Sequence, residues 1–171
     1  ANTKFEILVS GGTYKPTYER TTTASVTHNQ RLYSFVVPQG VSIYGGFKGD
    51  ELYSSGGITE IPGEGGTVTV VNMGDITDIL EARAYSDFNQ NGIEEPWELA
   101  NQTILSGQIN ASAEAKNTYH VVFTSNDTDS PNPVVLDGLT VMYGQTDNSL
   151  SVSTKEDEQG RGGGIYSDSV T

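Results

Sequence analysis

A chain of 171 residues with nine basic and 22 acidic side chains, formally −13, repels nucleic acid and anionic lipid and attracts divalent cations. Its length suits one well-buried domain, and 35% hydrophobic residues with 20 glycines favour an elongated, turn-rich β architecture over a helical bundle. Cysteine is absent, which leaves the redox compartment open, and no apolar run approaches the roughly 20 residues that span a bilayer.

In chain order, short runs of strand character recur, each closed by glycine or a polar turn. They are Phe5–Val9, Leu32–Val37, Val41–Phe47, Thr67–Val71, Thr103–Ile109, His120–Thr124, Val134–Met142 and Ile165–Val170. One stretch differs. In Asp75–Tyr85, Ile76, Ile79, Leu80 and Arg83 share a helical stripe, and Gly74 and Asp75 supply a start signal, so a short helix is predicted there.

The strands carry an internal repeat. TILSGQI and VVLDGLT align Leu105 with Leu136 and Gly107 with Gly138; SIYGGF places Gly45 in the same slot, and GGGIYSDSV is a further variant. Such repeats imply a solenoid, whose coils cannot bury their apolar faces alone, with glycine at corners where coils approach closely. Ile43, Leu105, Val121, Leu136 and Ile165 are expected to face a common interior, in parallel strands about 4.8 Å apart.

The segments GGTYKPT, GVSIYGGFKGDE, TILSGQI, TYHVV, VLDGLTVMYG and GGGIY, in that order, carry a family resemblance. Over about residues 5–50 and 100–168 the chain resembles the secreted, Bacteroidetes-type right-handed parallel β-helix proteins with repeats like those of chlamydial polymorphic outer-membrane proteins. The resemblance implies an all-β, pectate-lyase-like superhelix of three-sided coils on a secreted or cell-surface, outer-membrane-associated protein. It implies no reaction, because this fold hosts lyases, hydrolases and adhesins alike. Residues 1–171 then form a single β-helix domain or a fragment of one. The chain opens on KFEILV without a capping helix and stops after GGGIYSDSV, so further coils or a partner chain are expected to cap the ends.

Residues from about 55 to 95 depart from the family pattern and read as an insertion, and insertions in solenoids gather on one face. At its end lies DFNQNGIEEPWE, residues 87–98. Asp87, Asn89, Asn91, Gly92 and Glu98 occupy positions 1, 3, 5, 6 and 12 of a calcium-loop pattern. The predicted Ca²⁺ ligands are the side chains of Asp87, Asn89, Asn91, Glu95 and Glu98 and the carbonyl of Ile93, with Gly92 allowing the sharp turn. No Lys or Arg lies between Ser86 and Thr103 to compete for the carboxylates. The competing reading is a polar Asn-Gly turn, supported by Glu94 at position 8 and by Pro96. Pro96 equally suits the start of a short helical turn that aims Glu98 back at the ion.

Trp97, the single tryptophan, is a candidate ligand-binding residue, able to stack on a sugar ring beside the ion. The burial habit of tryptophan favours packing against the flank of the solenoid instead. The motif tyrosines and His120 read as structural. No spacing suggests a triad or a zinc site. Asp127/Asp129 and Glu156–Glu158 read as solvated acidic loops rather than a hydrolytic carboxylate pair. The expected function is a non-catalytic exported or cell-surface module with a calcium-stabilised acidic insertion. It would serve adhesion or glycan binding, with a carbohydrate or a host or cell-surface protein as partner. The alternative is the N-terminal part of a polysaccharide lyase or glycoside hydrolase whose catalytic residues lie on later coils.

Overall fold

The structure, a computed structural model, describes residues 5–18, 30–49, 52–54, 59–63, 66–72, 80, 81, 83–93, 95, 97–109, 117–127, 132–146 and 162–170. β-Branched and aromatic runs broken by glycine set its elements. In chain order these are β1 (Phe5–Ser10), β2 (Gly12–Tyr14), a 3₁₀ turn (Gln30–Leu32), β3 (Phe35–Val37), β4 (Val41–Phe47), β5 (Leu52–Ser54), β6 (Thr59–Gly63), β7 (Gly66–Asn72), β8 (Thr103–Ser106), β9 (Val122–Asp127), β10 (Val135–Asp137), β11 (Leu139–Met142) and β12 (Ile165–Val170).

The described fold is all-β. Three three-stranded sheets, ordered β1-β4-β10, β2-β8-β11 and β3-β9-β12, are parallel throughout. Each takes one strand from each of three passes of the chain: β1, β2, β3, then β4, β8, β9, then β10, β11, β12. The β5-β7-β6 sheet is separate and mixed, with β5 parallel and β6 antiparallel to β7.

Register places like on like. Ile7 aligns with Ile43 and Leu136, Tyr14 with Leu105 and Val141, and Phe35 with Val122 and Ile165. These ladders meet in one core of Val37, Val41, Leu105, Val121 and Val122, flanked by Tyr14, Phe35, Ile43, Leu136 and Val141. Each fully buried aliphatic side chain contributes about 1.5–3 kcal/mol. Alternation along β4 sends Val41 and Ile43 to this core and Tyr44 to a second cluster with Phe47, Leu8, Leu80 and Val135. The other face of the first sheet is therefore also covered, by Leu80 of the insertion.

Of the five residues expected in the interior, Ile43, Leu105, Val121 and Leu136 belong to the core or pack on it. Ile165 does not: it is 46% exposed. It lies on β12, an edge strand with no described strand on its outer side, so only one flank of its side chain is covered. The repeat alignment also needs correcting. Leu136 pairs with Ile43 in the first sheet, whereas Leu105 pairs with Val141 in the second. SIYGG and VLDGL are thus equivalent, and TILSG corresponds to LTVMY instead.

Several strand limits shift for the same local reason, an unpredicted corner. Val134–Met142 is two strands, split at Gly138, whose φ is +65°. The Thr103 strand stops at Ser106, before Gly107, and Leu32 closes a 3₁₀ turn rather than opening β3. β2, β5 and β6 are further strands. Within the predicted helix Asp75–Tyr85, Leu80 and Glu81 are helical, residues 73–79 and 82 lie outside the described residues, and Tyr85 is already in an antiparallel bridge with Leu99.

The first and second sheets join at a corner. In the outer passes this corner is one residue, Gly11 between β1 and β2 and Gly138 between β10 and β11. In the middle pass everything from Lys48 to Gln102 leaves through it. Close packing explains the glycines: a Cβ on Gly45 would lie 2.4 Å from the Gly138 carbonyl oxygen. Thr103 closes the corner, donating its hydroxyl to the Ser10 carbonyl (3.0 Å) and accepting the Gly46 N–H (2.9 Å).

Candidate metal centre

The 87–98 loop stands on a built neck. Tyr85 and Leu99 form an antiparallel bridge, the Ser86 N–H donates to the Glu98 carbonyl (2.8 Å), and the Ala100 N–H donates to the Ala84 carbonyl (2.9 Å). Leu99 is 4% exposed and packs over Gly46. Arg83, just before the neck, pairs with Asp137 on β10 and reaches the Gly45 carbonyl at 3.5 Å.

Above the neck the loop folds onto its own polar side chains. The two Asp87 oxygens accept the N–H groups of Asn91 (3.0 Å) and Gly92 (2.8 Å). Asn89 Oδ1 accepts the Asn91 N–H (3.0 Å), and Asn91 Oδ1 accepts the Ile93 N–H (2.8 Å). These contacts wind the chain through left-handed Gln90 (φ +59°) and Gly92 (φ +75°). Glu95 Oε2 accepts the side-chain amides of Asn89 (2.6 Å) and Asn91 (3.4 Å).

Glu98 closes the loop from beneath. Its Oε1 accepts the N–H groups of Phe88 (2.9 Å) and Asn89 (3.2 Å), and its Oε2 accepts the Glu95 N–H (3.4 Å). The turn that aims it is a single one, from the Glu98 N–H to the Glu95 carbonyl (2.8 Å), after which the chain enters the neck. Glu98 is fully buried, at 0% exposure. Among the described residues no Lys or Arg pairs with it, since Arg83 is engaged by Asp137.

All five predicted side-chain ligands therefore share one hydrogen-bonded loop, while the Ile93 side chain is 62% exposed. Glu94 and Pro96 lie outside the described residues. Among the described residues no three His, Asp or Glu side chains gather closely enough to hold a metal ion. The carboxylates of Asp87, Glu95 and Glu98 are turned onto loop N–H and amide groups instead. The donor chemistry nonetheless fits calcium: three carboxylates, two amide oxygens and a carbonyl match an ion that takes six to eight oxygens. Each Asp87 oxygen keeps a lone pair beyond its one N–H contact. The buried Glu98 charge has backbone dipoles but no described cation to balance it.

Trp97 departs from the expected packing. It is 59% exposed, although its neighbours Glu98 and Leu99 are buried. Packing is lost because the neck turns Leu99, not Trp97, onto the sheet corner. Trp97 lines a groove of about 290 Å³ together with Leu99, Gln102, Thr103, Gly138, Leu139 and Thr140. Sequence reasoning had no signal for that groove, since it pairs the loop's exit with a strand on the last pass.

His120 is buried, with Nδ1 3.1 Å from the Gly162 carbonyl oxygen and its ring 4.9 Å from Tyr166. Among the tyrosines, Tyr14 bonds the Ser10 carbonyl, Tyr44 joins the second cluster, and Arg31 lies over the Tyr119 ring. Tyr143 is 50% exposed. Asp129, Glu156–Glu158 and His28 lie outside the described residues. No described helix is long and apolar enough to cross a membrane. No protein-family model, curated protein or solved structure matches the chain.

Proposed function

We propose that this chain is part of an exported, non-catalytic right-handed parallel β-helix whose insertion, stabilised by calcium, serves adhesion or glycan binding. The coil is supported by the three passes that each place one strand in each parallel sheet. Handedness and an extracellular or cell-surface location rest on the resemblance of the GGF, TILSG and VLDGL segments to secreted bacterial β-helix proteins.

The observation that carries the calcium reading is Glu98. A carboxylate at 0% exposure, held by three backbone N–H groups with no described cation beside it, is electrostatically incomplete. A divalent ion held by Asp87, Asn89, Asn91, the Ile93 carbonyl, Glu95 and Glu98 would complete it and fix the loop on its neck. With three formal charges in the set, affinity in the range of extracellular modules is expected, about 10⁻⁴–10⁻³ M. The enzyme alternative gains nothing from Arg83, the basic residue nearest the loop: its side chain is 7% exposed and committed to Asp137.

Calorimetric melting after chelation tests this reading. Titration with calcium should raise the thermal midpoint, because a ligand bound only by the folded state stabilises it. Substituting Asp87→Ala should remove that rise and leave the β-type circular dichroism intact. A wild-type midpoint indifferent to 10 mM calcium, about ten times the weakest expected Kd, would mean the loop is only a turn.

A further inference from the structure

We propose that the groove between Trp97 and the β10–β11 corner is a subsite for a single uncharged hexopyranose ring of a glycan. This rests on the reading of the chain as an adhesion or glycan-binding module and names the place and chemistry of binding. The groove is about 290 Å³, at the small end for ligand sites, so it takes one ring rather than an engulfed oligosaccharide. Its lining joins Trp97, Leu99 and Gln102 from the exit of the loop and Thr103 of β8 with Gly138, Leu139 and Thr140 of the β10–β11 corner.

The exposure of Trp97 is not that of a loose loop tip. The residues that follow it, Glu98 and Leu99, are 0% and 4% exposed, and the neck hydrogen bonds of Glu98 and Ala100 hold the backbone there. The indole is thus a flat apolar platform presented to solvent by a fixed backbone, which lowers the ordering cost of binding. Gln102 and Thr140 are exposed at the groove and bring an amide and a hydroxyl, each able both to donate and to accept. No charged side chain lines the groove, and the chain carries −13 overall, which disfavours a uronate or sulfated sugar. An apolar face with neutral hydroxyls around its rim is the chemistry of an uncharged pyranose.

Trp97 is the only tryptophan, so fluorescence excited at the red edge, beyond the absorption of the nine tyrosines, reports this site alone. The wild-type protein in calcium should be titrated with cello-, manno- and malto-hexaose and with oligogalacturonate. At least one neutral series should give a saturable blue shift, with no response to oligogalacturonate. By calorimetry, Trp97→Ala should weaken that binding about tenfold or more and Trp97→Phe less, with Thr140→Ala and Gln102→Ala each costing severalfold. Calcium melting on the same samples separates this proposal from the one beneath it. A calcium-raised midpoint without a response to any neutral saccharide overturns the subsite and leaves the calcium loop standing. Saccharide binding without a calcium effect does the reverse. Unchanged affinity in folded Trp97→Ala or Trp97→Phe protein, or preferential binding of oligogalacturonate, also overturns it.

Discussion

The Arg83 guanidinium lies against the Asp137 carboxylate, so the segment feeding the 87–98 loop is pinned to the last strand of the first sheet. The pair is buried on one side only, with side-chain exposures of 7% for Arg83 and 42% for Asp137. Substituting Asp137→Ala strands a buried cation with the carbonyls of Gly45 and Leu80. After discounting for the solvent around Asp137, urea melts should show a loss of about 1–3 kcal/mol. Arg83→Met keeps the apolar stem near Gly46 and should cost less. The double variant should lose less than the sum of the two, as expected for groups in contact. Full additivity would show that the contact carries no energy.

Glu98 separates the structural role of its oxygens from the role of its charge. Glu98→Gln keeps one acceptor for the Phe88 and Asn89 N–H groups and removes a buried negative charge. In chelator it should lose about 1–3 kcal/mol, because the new side-chain amide faces the Glu95 N–H in a buried place. In 10 mM calcium the wild type should gain about 1.4–2.7 kcal/mol, for a Kd ten- to a hundredfold lower than the calcium concentration, and the variant should gain almost none. Equal calcium responses in the two proteins would remove Glu98 from the site.

Two glycines should respond to alanine for different reasons. At Gly45 the added methyl group would sit 2.4 Å from the Gly138 carbonyl oxygen and 2.8 Å from Thr103 and Leu139, so the corner must open. A loss of about 1–3 kcal/mol is expected. At Gly92 nothing lies within 4 Å, and only the φ of +75° resists. Its cost should be about 1–2 kcal/mol and confined to the loop, visible as weakened calcium response more than as a lower calcium-free midpoint.

Thr103 supplies a third test, at the corner itself. Thr103→Val leaves the buried Gly46 N–H without its partner and the Ser10 carbonyl with the Tyr14 hydroxyl alone, for about 1–3 kcal/mol. Thr103→Ser should recover most of it. Amide exchange at Gly46 should accelerate in the valine variant and stay protected in the serine variant.

The apolar ladders were legible because burial is written locally: alternation in VSIY and the run TIL mark core positions whatever their partners. The pairing of those runs was not. Leu105 and Leu136 share a motif, yet they belong to different sheets, because a glycine after a leucine marks any corner and does not say which one. The loop was legible for the opposite reason. Asp87, Asn89 and Asn91 act on backbone groups two to five residues on, Glu98 on groups three to ten residues back, and Gly92 permits the turn, so spacing within one loop carries their geometry. Trp97 fell between these cases. Its exposure is decided by Leu99 docking over Gly46, a contact between distant parts of the chain that no local pattern records.

Gly46 and Thr103 are joined by a hydrogen bond of 2.9 Å, yet the chain between them makes the whole excursion through β5, β6, β7 and the 87–98 loop. The excursion begins and ends at the same place on a stack that is already clamped by strands above and below. Its length therefore bears on stability through closure entropy, about 0.6 kcal/mol for each doubling, beside the contacts that Phe47, Leu80, Arg83 and Leu99 make with the sheets. In engineering terms the middle layer is a socket. A loop of quite different size or binding chemistry could be mounted on the neck between Tyr85 and Leu99, and the sheets would keep their register so long as Phe47, Leu80, Arg83 and Leu99 stay seated against them.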